Sequence, residues 1–147
     1  MNEVENRKHK KELSPKEYNR FIDQVDITDI RVVSAKTDVF DYSYYPSAAD
    51  VKWETVASYE KEAEGFNVKH QYNLIIVDKE TKKRKAKISV TFHVVYSSKL
   101  HISDEIFKIF EKRNLPLNTW SYFREFVHNM TMRVGWPPFV APKYVAS

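Results

Sequence analysis

The chain has 147 residues, the length of one domain and enough to bury a real core. Its two glycines, Gly65 and Gly135, lie too far apart to build a dinucleotide fingerprint or a phosphate loop. Cysteine is absent, which excludes disulfides, thiolate metal sites and cysteine nucleophiles and suits a cytoplasmic chain. The longest aliphatic run, Leu74 to Val77, is too short to span a membrane, and the charged N-terminus does not read as a secretory signal. The net charge of +4 is concentrated between Asp78 and Lys87, where Lys79, Lys82, Lys83, Arg84, Lys85 and Lys87 face two acidic residues. Elsewhere eighteen basic and eighteen acidic residues balance.

Residues 1–13 carry Glu3, Glu5, Arg7, Lys8, Lys10, Lys11 and Glu12 with little apolar content, and are expected to form a mobile charged tail. A single domain is expected over 14–147. Ser14-Pro15-Lys16-Glu17 is a capping box with proline in the first turn, and Tyr18, Phe21, Ile22 and Val25 follow at helical spacing, which predicts a short helix over 14–25. A four-stranded sheet is expected over 26–98. The β-branched stretch Ile27 to Thr37 reads as its first strand, although its two faces are hard to separate. An aromatic connection follows, Phe40-Asp41-Tyr42-Ser43-Tyr44-Tyr45-Pro46. Val51, Trp53, Thr55, Ala57 and Tyr59 then alternate with largely polar residues as a second strand. The third strand places Phe66, Val68, His70, Tyr72, Leu74 and Ile76 on one face. The fourth does the same with Ala86, Ile88, Val90, Phe92, Val94 and Tyr96, and the basic turn between them makes a hairpin.

At Ser103 the period lengthens to 3.6, and helices are expected over 103–134. The first carries Ile106, Phe107, Ile109 and Phe110 and closes before Leu115-Pro116. The second starts near Asn118 or Thr119, with Trp120, Phe123, Val127, Met130 and Val134 as its apolar stripe. Gly135-Trp136-Pro137-Pro138 stops it, and 135–147 is expected to run extended. The fold class is α+β: an antiparallel four-stranded sheet followed by two helices on one face, with a short extra helix at the N-terminus.

Chemistry is sparse. The histidines (His9, His70, His93, His101, His128) never pair at metal-ligand spacing, and no G-x-S-x-G elbow occurs. No catalytic residue, cofactor or metal is expected, and the chain does not read as an enzyme. The basic turn is either a nucleic-acid or anionic-lipid contact or a solvated hairpin tip, and the absence of a helix-turn-helix, an RRM signature or a zinc finger favours the tip. The tyrosine cluster and Trp53 read equally as packing under a long connection or as an apolar surface for another polypeptide. The stripe of the last helix reads as core or subunit contact.

The C-terminal third adds a resemblance. Leu117-Asn118-Thr119-Trp120-Ser121-Tyr122-Phe123-Arg124-Glu125-Phe126-Val127 and then Gly135-Trp136-Pro137-Pro138-Phe139-Val140-Ala141-Pro142-Lys143-Tyr144 resemble the SecB-type export chaperones. The likeness rests on Tyr122, Arg124, Glu125, Gly135, Trp136, Pro137, Phe139, Ala141, Pro142 and Tyr144, and on four strands preceding two helices. It implies a homotetramer, a dimer of dimers, that holds unfolded polypeptide in apolar grooves without ATP. The groove residues it implies are Phe40, Tyr42, Tyr44, Tyr45, Val51, Trp53, Trp136 and Phe139. Trp120, Arg124 and His128 are expected near subunit boundaries. The chain departs from the export chaperones in being basic, in ending soon after Tyr144, and in its extra helix. The first two departures weigh against delivery to the SecA motor, and the extra helix resembles divergent SecB-like proteins, some of which protect an antitoxin in a toxin-antitoxin-chaperone system. Delivery of preproteins to the SecA motor is the alternative expectation. A non-chaperone interaction or nucleic-acid module using the basic hairpin is the second.

Overall fold

The structure is a computed structural model that describes residues 13–43 and 45–140. The serine half of the capping box forms as its residue type predicts. Ser14 Oγ accepts from Glu17 N at 3.1 Å and opens α1, Pro15–Ile22, which buries Tyr18 and Phe21. The helix is shorter than expected, since Asp23 closes it and Val25 bonds back to Ile22 O as a turn. Leu13, assigned to the tail, is instead half-buried against the core. The remainder of the expected tail lies outside the described residues.

Four strands of equal length follow: β1, Asp26–Val39; β2, Ala49–Glu62; β3, Gly65–Asp78; and β4, Arg84–Ser97. They form one antiparallel sheet in the order β1-β4-β3-β2. The first strand therefore pairs with the last, and residues 40–48 carry the chain from one edge of the sheet to the other. Gly65 is needed where β3 begins, because a Cβ there would lie 2.0 Å from Tyr96 O across the pair.

Ser103 Oγ caps α2, Asp104–Arg113, through Ile106 N at 3.2 Å. The next helix, α3, Leu115–Arg133, begins three or four residues before the expected start. By pattern Leu115-Pro116 marks a stop, but a proline in the first turn gives up only an amide that has no helical partner anyway, so it starts this helix. Gly135 ends the segment at φ +89°, and Trp136 N bonds back to Thr131 O.

The core lies between the alternating faces of β3 and β4 and the stripe of α2 and α3. Tyr72 stacks on Phe123 at 4.3 Å between ring centroids, and Phe66 meets Tyr96 at 4.9 Å and Phe110 at 5.4 Å. One polar thread crosses it. His70, 1% exposed, hydrogen-bonds Thr55 of β2 and Thr119 of α3, and Tyr72 OH shares that Thr119 hydroxyl at 2.8 Å. Burial lowers the His70 pKa to about 4, so the ring is neutral and joins three elements without a charge. No helix among the described residues is long and apolar enough to cross a membrane.

Candidate functional site

The strand order brings four pieces of chain to one end of the sheet: the exit of β1, the entry of β2, the β3–β4 turn and the end of α3. The crossover between β1 and β2 is the exposed part, and it is fastened at several points. Phe40 N and Asp41 N both donate to Lys85 O, at 2.8 and 3.2 Å. The buried Lys85 ammonium donates to Ser43 O and lies 3.8 Å from the Asp41 carboxylate. Asp41 also accepts from Ser43 N at 2.9 Å and Ser43 Oγ at 2.8 Å. These Ser43 bonds, followed by the Lys85 charge, hold the Asp41 pKa below the usual carboxylate value. A short 3-10 turn, Pro46–Ala48, leads into β2, and Lys79 N donates to Ala48 O at 2.8 Å.

The opposite anchor comes from beyond α3. The Trp136 ring is buried, and its Nε1 donates to Tyr42 O at 2.9 Å across 94 positions of sequence. Trp136 is itself positioned by the left-handed turn at Gly135, while Phe139 N donates to Thr131 Oγ1 at 2.9 Å and the Phe139 side chain packs on the core. The loop backbone is thus tied down from both sides while three of its aromatic side chains stay exposed: Phe40 is 57% exposed, Tyr42 76% and Tyr45 67%. Exposure of this order on a fastened loop is unusual, because aromatic rings under a connection normally fill the space beneath it.

Val51 and Trp53 extend this surface along the core face of β2. Val51 is half-buried, and Trp53, 45% exposed, sits 4.8 Å from Trp120. Trp120 is buried beneath it, next to Tyr72 and Phe123, so its ring packs inside its own subunit and offers little surface to a second copy. Arg124 and His128 stay half-exposed and line a shallow cleft with Ser121, Glu125 and Val140. Of the sequence-expected groove residues, the structure joins Trp136 to Tyr42 and keeps Phe40, Tyr45 and Trp53 on the surface. Tyr44, Ala141, Pro142 and Tyr144 lie outside the described residues. Among the described residues no group of three His, Cys, Asp or Glu side chains could hold a metal ion.

The sequence reading missed a second apolar surface. Ile27, Val32 and Val33 of β1 are each about half exposed, as are Tyr122 and Met132 of α3, while Leu117 is more so. The available signal was the unclear facing of β1. Its register slips twice against β4, leaving Thr28 and Val33 unpaired, and such bulges break a period-two pattern.

No protein-family model matches the chain, and no curated protein does. Solved structures do. The chain superposes with a TM-score of 0.74 on the Mycobacterium tuberculosis Rv1957 SecB-like chaperone, solved in complex with a ChAD peptide from the Rv1956 HigA1 antitoxin. Identity is 18%, over 84% of this chain and 93% of that one. A protein of unknown function from Streptococcus agalactiae matches with a TM-score of 0.51 and 12% identity, over 82% of this chain and 98% of that one. The fold is therefore SecB-like, a four-stranded antiparallel sheet followed by helices, as the sequence resemblance implied.

Proposed function

We propose that this chain is an ATP-independent holdase that binds unfolded or aggregation-prone polypeptide at the crossover end of its sheet, and that its client is an antitoxin of a toxin-antitoxin-chaperone system. The observation that carries this reading is the set of exposed aromatic side chains, Phe40, Tyr42, Tyr45 and Trp53, on a backbone fastened by Trp136 and Lys85. Rings held on a fixed backbone lose little entropy when they take up an apolar segment, and several weak contacts along an unfolded chain add through effective concentration. The SecB-like neighbour solved with an antitoxin peptide supports the choice of client. In this reading the working form is a homotetramer, a dimer of dimers, and the uncovered apolar edge at β1 supports a subunit contact there.

The test is light scattering of a chemically denatured client diluted into buffer with stoichiometric protein and no nucleotide. Aggregation should be suppressed, and Tyr42→Ser combined with Tyr45→Ser and Trp53→Ser should weaken suppression at least severalfold while the circular dichroism spectrum is retained. A wild-type oligomer that protects neither general clients nor an antitoxin encoded beside it would sink the reading.

A further inference from the structure

The basic turn between β3 and β4 lies against the crossover loop, and this position gives it a use that a solvated hairpin tip would not need. Lys79 is bonded to the loop twice, from its backbone N to Ala48 O at 2.8 Å and from Nζ to Ser47 O at 3.2 Å. Lys85, at the other side of the turn, holds Ser43 O. The turn has a fixed shape. Asp78 Oδ1 accepts from Glu80 N and Thr81 N at 2.9 Å, Lys82 N returns to Asp78 O, and Lys82 adopts φ +60°. Asp78 is occupied as the cap of this turn, which leaves Glu80 as its one other acid.

The cations then have little to answer locally. Lys82, Lys83 and Arg84 are exposed, and none has a carboxylate within 4.0 Å among the described residues. Charges on a hairpin often protect a sheet edge from pairing, but β3 and β4 are the interior strands, so this turn guards no edge. The local surplus of four positive charges equals the net charge of the whole chain.

Resting on the polypeptide-binding reading above, we infer that the β3–β4 turn is the cationic rim of the client site and selects segments in which acidic residues flank aromatic or aliphatic ones. Tyr42 and Tyr45 neighbour the loop residues that Lys79 and Lys85 hold, so an apolar side chain of the client seated on them leaves an adjacent carboxylate facing the turn, where attraction to Lys82, Lys83 and Arg84 acts over a Debye length, about 8 Å at physiological salt. The aromatic surface supplies contact area and the rim supplies discrimination by charge.

Three fluorescent peptides of about twenty residues test this by anisotropy. They share the same Tyr, Phe and Leu positions and carry Glu, Ser or Lys between them. The wild-type chain should bind the Glu peptide about tenfold more tightly than the Lys peptide, with the Ser peptide between, and the difference should shrink at high salt. The variant Lys82→Asn, Lys83→Ser, Arg84→Thr should lose the preference and keep its affinity for the Ser peptide; asparagine tolerates the left-handed backbone at 82. Equal binding of Glu and Lys peptides alongside firm binding of the Ser peptide overturns the rim and leaves the holdase reading standing. Failure to bind any of the three overturns the rim, and, together with no protection of general clients or an antitoxin in light scattering, the holdase reading as well. Tighter binding of a single-stranded RNA of the same length, lost in the triple variant, overturns the rim in favour of a nucleic-acid contact.

Discussion

His70 is the buried group whose protonation the fold opposes most clearly. The ring is enclosed by Thr55, Tyr72 and Thr119, and burial holds its pKa at about 4 against 6.5 for the free side chain. Between these values the unfolded chain binds a proton that the folded chain does not. Stability from this residue is therefore fully present above about pH 6.5, falls as the pH drops, and levels off below about 4. A shift from 6.5 to about 4 corresponds to about 3 kcal/mol at one buried site. Urea denaturation at pH 7.5 and 4.5 should show the wild type losing most of this. His70→Gln, which keeps hydrogen-bonding capacity without titrating, should lose much less over the same interval. A wild type equally stable at both values would contradict the buried, neutral ring. The sequence placed His70 on the apolar face of its strand, but its threonine partners come from positions 15 and 49 residues away, and only folding assembles them.

At the scale of elements, the crossover loop and the segment after α3 act as a pair through the Trp136 to Tyr42 hydrogen bond. Trp136→Phe keeps an aromatic ring in the buried site and removes the donor. A single hydrogen bond of this kind contributes about 1 kcal/mol. The variant should lower the melting temperature by only a few degrees. Amide exchange at Phe40, Asp41, Ser43 and Ala48, followed by mass spectrometry, should rise severalfold while exchange in β3 and β4 stays unchanged. Unaltered exchange in the loop would show that the bonds from Lys79 and Lys85 suffice to fasten it. Element existence was legible almost throughout. Period-two alternation marks β2, β3 and β4, and capping serines mark α1 and α2. The start of α3 was not legible, because Leu115-Pro116 serves equally as the end of one helix or the first turn of another, and packing of Leu115 into the core decides between them. The anomalous tyrosines were visible as a cluster, but the exposure of Tyr42 and Tyr45 and the bond from Trp136 to the Tyr42 carbonyl depend on where the crossover meets the segment after α3.

For the whole molecule, the uncovered edge at β1 is the feature that bears on assembly. The helices cover β3 and β4 and reach β2 through Trp120 and Trp53, leaving Ile27, Val32 and Val33 of β1 half-exposed. An exposed edge strand with apolar side chains is a site for pairing with another chain. In the tetramer we propose, Val32→Lys should reduce the native mass to smaller species while preserving the secondary-structure content. Arg124→Glu tests the outer face of α3 in the same measurement. A wild type that runs as a monomer would remove the tetramer, and an unchanged mass in Val32→Lys would remove β1 from the contact.

The sequence by itself determined the class of fold, the order of its elements, the face that β2, β3 and β4 bury and the local surplus of charge, because these follow from periodicity, capping residues and composition that neighbouring positions share. It also marked Phe40, Tyr42, Tyr45 and Trp53 as unusual. Only the tertiary structure decided that β1 pairs with β4. That pairing sends residues 40–48 across the end of the sheet, sets the loop against the basic turn, and brings Trp136 beneath it. Strand order depends on contacts between residues far apart in the chain, and the alternation within a strand is the same whichever neighbour it has.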